Sequence, residues 1–273
     1  MIVPPAIQDI LLKAAFAAYL LTAACFVLQS FMPGWKWDAA GNIVLRAGFA
    51  LHTMMIGIRW FAAGRPPFAN MFEALVLFSW SIVCVYLVFR FIARVPSQLL
   101  AVPVNILAII FMFIAFQGDR AIKPLMPALQ SPWMSVHVMT YFLGYAALSI
   151  AFMMGGLYLA LSARKGIPAS FVSLIDDIAY RLVAFGFPFL TMGMLTGSVW
   201  ANAAWGTYWN WDPKETCSLI TWLVYVIYLH LYGFKGWRGK RAAWLLAAGF
   251  LATLFTFIGV NFILPGLHSY GGG

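Results

Sequence analysis

Four histidines, His52, His137, His230 and His268, are the residues in this chain best suited to hold a metal. Imidazole is a strong neutral ligand. A second concentration is aromatic: five of the twelve tryptophans (Trp200, Trp205, Trp209, Trp211 and Trp222) fall within 23 residues. Tryptophans gather at membrane interfaces as amphipathic anchors, and that plain reading applies to any one of them. The run Trp205-Gly-Thr-Tyr-Trp-Asn-Trp-Asp-Pro-Lys-Glu is more specific, because it ends in a helix start. Asp212 fits the N-cap, Pro213 the first helical position and Glu215 the third, the pattern of a capping box. An aromatic shelf beside a helix N-terminus suits a flat, apolar ligand with anionic groups: rings stack on the indoles, and backbone amides or Lys214 meet carboxylates.

The elements that must position these residues are membrane helices. Of the 273 residues, 63% are hydrophobic and only 9% charged, with a mean hydropathy of +0.88. A soluble domain carries nearer a quarter charged residues. Apolar runs of about 20 residues are marked at 8–31, 43–63, 68–90, 98–116, 133–162, 177–200, 215–234 and 243–264. They predict an all-α, polytopic membrane helix bundle of about eight transmembrane helices, a single membrane domain over 1–273, with no room for a sizeable soluble domain. The first run is too long for a signal peptide and has only Lys13 as a basic start. Cys25, Cys84 and Cys217 lie far apart, form no CxxC, and read as small buried hydrophobes.

The net charge of +9 would suggest nucleic acid in a soluble protein. Here the basic residues sit at the ends of apolar runs, so nucleic acid is set aside. Lys235, Arg238, Lys240 and Arg241 form the richest basic loop and are placed in the cytoplasm. With eight helices, both termini then lie on the extracytoplasmic side. The same assignment puts Lys36, Arg46, Arg90, Arg94, Arg164, Lys165 and Arg181 inside, and leaves Arg59 and Arg65 discordantly outside, with Glu73 as a counter-charge.

Depth follows from this frame. His137 lies just inside the fifth helix and His268 in the outer tail, both on the side of the tryptophan shelf. His230 is about 16 residues into the seventh helix, roughly 24 Å below the outer end. His52 is about mid-helix in the second, so these two are expected to share a level in the inner half of the membrane. A lone membrane histidine is commonly a structural one, hydrogen-bonded across helices. Two depth-matched pairs, one of them beside an aromatic shelf, point instead to an iron macrocycle with one imidazole on each face. Zinc is a weaker alternative, with two ligands per pair and no clustered cysteines or carboxylates. A nucleophilic triad is weaker still.

Trp205 to Glu215 resembles the tryptophan-rich "WWD" signature of heme-handling cytochrome c biogenesis proteins, here occupying 200–217. The tail Gly259-Val-Asn-Phe-Ile-Leu-Pro-Gly-Leu-His-Ser-Tyr-Gly271 resembles the C-terminus of the CcsA (ResC) branch. So does Pro67-Phe-Ala-Asn-Met-Phe-Glu-Ala-Leu, in which Ala74 stands where that branch more often has serine. The resemblance is strong over about 65–273 and looser before it.

What the resemblance implies is CcsA/CcsB-type (System II) cytochrome c maturation. Heme b, as a transported substrate, moves to the outer face and is presented for thioether attachment to the CxxCH motif of apocytochrome c. The implied axial ligands are His137 and His268 outside and His230 within the membrane, with His52 the loosest carry-over; Trp205, Trp209, Trp211 and Asp212 complete the cofactor-binding set. The implied partners are a CcsB/ResB-like membrane protein, with which the chain would form part of a holocytochrome c synthase, and thiol-reducing proteins. The implied location is a bacterial inner membrane or a thylakoid membrane. No side chain stands out as a chemical catalyst. Two rival readings are a CcmC-like transfer of heme to a chaperone, expected with about six spans, and a transporter or channel subunit using His52, Glu73 and His230 as a polar path.

Overall fold

The computed structural model describes residues 5–32 and 34–263, and among them no strand occurs. Eight long helices run α1 (Pro5–Phe31), α2 (Trp37–Ala63), α3 (Met71–Ala93), α4 (Ser97–Ala115), α5 (Pro132–Ser162), α6 (Ala169–Trp205), α7 (Pro213–Phe234) and α8 (Lys240–Leu254). A 3-10 turn (Pro127–Leu129) precedes α5, and α8 passes through a π turn (Phe255–Gly259) into the short α9 (Val260–Ile263). Seven of the long helices are apolar and long enough to cross a membrane; the apolar part of α4, Leu99–Ala115, is shorter. Large apolar side chains such as Leu21, Phe91, Leu195 and Phe234 face outward, as a lipid-facing surface requires, since helices satisfy their own backbone polar groups in hydrocarbon. The polytopic all-helical expectation is met. Two helices outrun their apolar stretches: α2 starts at Trp37 and α6 at Ala169. Their N-terminal extensions carry Asp38 and Asn42 on α2 and Ser170, Ser173 and Asp176 on α6, polar residues that escape a search for hydrophobic runs.

The helices group into two compact units, one ending at Leu125 and the other beginning at Met126. In the first, α1 packs on α2 and α4, and α3 on α4. The buried residues of α2 are Gly41, Leu45, Gly48, His52, Met55 and Arg59, spaced alternately by four and three, which is one stripe of a helix. At the end of this stripe lies a buried ion cluster. Glu73 takes Arg59 on one carboxylate oxygen and Arg65 on the other, each at 2.9 Å, which supplies the counter-charge expected for those two arginines. Arg59 also donates to the Arg120 carbonyl at 3.1 Å and Arg65 to that of Lys123 at 2.9 Å. Asn70 caps α3, accepting from the Glu73 amide, and its side-chain amide reaches the carbonyls of Asp119 and Ala121. The segment after α4 is therefore stitched to the loop before α3.

In the second unit α5 and α6 are the closest pair. A Cβ at Gly144 would meet the Leu190 amide nitrogen at 3.0 Å, and one at Gly186 would meet the Ala147 Cβ at 2.6 Å. Small residues let the two backbones approach, which is how membrane helices gain dispersion contact. α7 has the opposite pattern from a soluble helix. Its buried residues are all polar (Glu215, Ser218, Thr221, Tyr225, Tyr228 and Tyr232), while Ile220, Leu223, Ile227 and Phe234 are exposed.

Candidate functional site

His137 sits in the second turn of α5, half-buried. Its Nδ1 lies 2.9 Å from the carbonyl oxygen of Gly193 on α6. A carbonyl can only accept, so the proton of this bond is on Nδ1; a neutral ring held this way has its lone pair on Nε2, a tautomer that can ligate a metal. The Tyr141 ring meets the imidazole edge-on at 4.9 Å and the Trp200 indole stacks on it at 5.6 Å and 26°. Trp200 is buried, donates through Nε1 to the Ala128 carbonyl at 2.8 Å, and packs edge-on against Trp205 at 4.8 Å. A ladder of rings thus runs from His137 through Trp200 to the last residue of α6.

The tryptophan segment continues from there. Gly206, with a φ of 80°, caps α6 in the left-handed conformation that glycine adopts without strain. Trp209 and Trp211 cross at 88° with centroids 5.7 Å apart; Trp211 and Tyr208 are largely exposed, so their ring faces are accessible. Trp211 has a φ of 57°, a conformation unfavourable for a residue with a Cβ. The expected capping box is present. Asp212 accepts from the Lys214 amide at 3.1 Å, and Glu215 accepts from the amides of Asn210 and Asp212 at 2.8 and 3.2 Å. Both carboxylates are buried. They tie the aromatic loop to the start of α7 and take up the amides of its first turn.

The other histidines lie elsewhere. His230 is exposed on α7, off its buried polar stripe, with the Phe234 ring 5.3 Å away. His52 is fully buried in the first unit, on the packed stripe of α2, with Nδ1 3.2 Å from the Tyr19 hydroxyl. His268 lies outside the described residues. No cluster of three or more His, Cys, Asp or Glu side chains occurs among the described residues. The α6 side of the His137 pocket, Gly193, Gly197 and Trp200, is what reading the sequence missed. Its signal was present as the small-xxx-small spacing of Gly193-Met-Leu-Thr-Gly197.

Comparison with known proteins decides the family. The family model for the cytochrome C assembly protein matches residues 68–268. The chain belongs to the cytochrome C assembly protein family. Among curated members, the cytochrome c biogenesis protein CcsA of Chlamydomonas reinhardtii is 42% identical over 76% of this chain and 62% of its own length. CcsA of Guillardia theta is 36% identical over 75% and 76%, and that of Prochlorococcus marinus (strain MIT 9301) 35% over 95% and 86%. Among solved structures, the cytochrome c heme lyase CcmF superposes with a TM-score of 0.68 at 18% identity, covering 92% of this chain and 46% of that one. At that identity the likeness concerns the fold. This member of the cytochrome C assembly family shares that helical membrane architecture and spans about half of the lyase.

Proposed function

We propose that this chain is the heme-handling membrane subunit of a System II cytochrome c maturation complex. The observation that carries the reading is the His137 imidazole, presented by a carbonyl hydrogen bond in the ligating tautomer. It stands at the end of a ring ladder that leads into the exposed tryptophan loop. Heme b, carried as substrate, is ligated on the outer side by His137 and His268, with Trp205, Trp209 and Trp211 as the stacking surface. Asp212 holds the loop on the α7 start that faces the propionates. His230, already exposed on α7, is an inner-half ligand. His52 is the other one proposed, and since it is fully buried against Tyr19, iron reaches it only when that packing opens.

The chemistry served is addition of a cysteine S–H across a heme vinyl group, forming a C–S bond while the proton goes to the neighbouring vinyl carbon. This needs a held macrocycle, reduced iron and a nearby thiol more than an acid or base. The chain supplies the first, as part of a holocytochrome c synthase with a CcsB/ResB-like membrane partner, apocytochrome c CxxCH segments and thiol-reducing proteins, in a bacterial inner or thylakoid membrane. Eight helices rather than about six weigh against the CcmC-like alternative. Protein purified after heme-replete expression is expected to show a heme absorption band that His137→Ala or His268→Ala removes or shifts. Unchanged spectra in both variants would refute the reading, and a colourless wild-type preparation would favour a transporter. For the inner pair, a shared heme predicts that His52→Ala with His230→Ala loses no more heme than either alone.

A further inference from the structure

The pocket of His137 is formed by one stripe of α6. Residues 193, 197 and 200 follow a four-then-three spacing and so lie on a single helix face. The Gly193 carbonyl, besides its place in the helix, accepts the imidazole Nδ1–H at 2.9 Å. Gly197 lies directly under the ring. The three atoms that a Cβ at position 197 would meet first are Nδ1, Cε1 and Cγ of His137, the nearest two well inside van der Waals contact. This differs from the neighbouring glycines of the same pair of helices. At Gly144 the first atoms met are backbone atoms of Leu190 and Gly186, and at Gly186 the nearest is the Ala147 Cβ. Those two glycines serve the approach of α5 to α6, whereas the space at Gly197 is taken by the imidazole.

Trp200, one turn further, closes the other side. Its indole plane lies within 26° of the imidazole plane, and its own position is fixed by the 2.8 Å bond from Nε1 to the Ala128 carbonyl. Tyr141 bounds the edge. Translation of the ring is limited by Gly197 and Tyr141, rotation by Trp200, and the proton position by Gly193. Partners of this kind orient a ligating histidine and raise its basicity, and their loss typically costs about 10–100-fold in metal affinity.

We infer that Gly197 and Trp200 are positioning residues for iron ligation by His137: the missing Cβ at 197 lets Nδ1 reach the Gly193 carbonyl, and the Trp200 indole sets the plane of the ring. The inference rests on the reading of His137 as a heme ligand, and neither residue touches iron. A side chain at 197 pushes the ring off the carbonyl, frees Nδ1 to lose its proton to Nε2, and so blocks the ligating nitrogen.

Two measurements on the full-length protein in detergent test this. In heme-free protein labelled with 15N-histidine, the His137 resonances, assigned by their absence in His137→Gly, are expected to report an Nδ1–H tautomer that Gly197→Ala converts wholly or partly to Nε2–H. Titration with hemin is expected to give binding about 10–100-fold weaker in Gly197→Ala and Trp200→Leu, with Trp200→Phe, which keeps a stacking ring, recovering most of the loss. A background of His137→Gly without added imidazole separates positioning from general packing, because no ring remains to collide with residue 197. There Gly197→Ala is expected to have no effect on hemin affinity or spectrum. Equal loss in that background, or an Nε2–H tautomer in the wild type, would overturn the inference. If His137→Gly binds hemin as the wild type does, the ligand reading itself falls, while the tautomer measurement still decides whether Gly197 orients the ring.

Discussion

Glu73 and Arg59 are paired at 2.9 Å with 0% and 4% of their side chains exposed, and the second carboxylate oxygen is taken by Arg65. Two buried guanidiniums on one carboxylate leave a net positive centre that carbonyls of Arg120 and Lys123 help to satisfy. Removing the carboxylate strands both cations. Glu73→Ala is expected to destabilise the protein by about 3–5 kcal/mol. Replacing Glu73, Arg59 and Arg65 together by apolar residues of similar volume is expected to recover much of that loss. Denaturation midpoints in detergent check both, and a single variant as stable as the wild type would count against the cluster as a structural tie.

The strained conformation of Trp211 makes a separate prediction. A φ of 57° costs a non-glycine residue on the order of 1–2 kcal/mol. Trp211→Gly removes that strain and also an exposed indole face. The variant is therefore expected to be no less stable than the wild type while binding heme more weakly, a separation read by thermal unfolding alongside hemin titration.

The α7 capping box ties the loop to the helix. Asp212→Ala leaves the Lys214 amide without its side-chain partner, and the expected loss of stability is about 0.5–2 kcal/mol. Glu215→Ala releases the amides of Asn210 and Asp212 together. Amide hydrogen exchange is expected to speed up across 207–216 in both variants, more so in Glu215→Ala.

A fourth expectation concerns the loop between α7 and α8. Asp176 accepts from the Gly239 amide at 3.0 Å and from the Tyr232 hydroxyl at 3.3 Å, while Arg238 donates to that hydroxyl and lies 4.2 Å over the Tyr232 ring. Asp176→Ala leaves two buried donors without this acceptor, at a cost of about 1–3 kcal/mol for each. Faster exchange of the amides in 235–239, with hemin binding unchanged, is the expected signature.

Much of the architecture was legible in the sequence because its causes are local. Apolar runs marked eight helices, since a spanning helix needs a fixed length of hydrocarbon. Asp212-Pro-Lys-Glu215 announced the start of α7 because a cap is decided within four residues. The placement of Glu73 near two discordant arginines named a pairing that the structure then contained. The polar N-terminal stretches of α2 and α6 were invisible to a hydrophobic criterion, so the full length of those helices was not legible.

The surroundings of the histidines belong to a different class. Sequence could place His137 near the outer end of α5, but Gly193, Gly197 and Trp200 reach it only because the glycine and alanine faces at Gly144, Ala147 and Gly186 let α6 cross α5 at close range. Spacing within one helix cannot specify which residue of another lies opposite. The same limit separates His52 from His230. On their own helices both are single polar residues in apolar runs, yet packing on α1 buries the first against Tyr19, while the polar stripe of α7 takes the inward face and leaves the second outside. Composition and local pattern thus determined the membrane character and the helices. Tertiary packing alone decided the surroundings of each imidazole, because orientation and access are set by contacts between residues far apart in the chain.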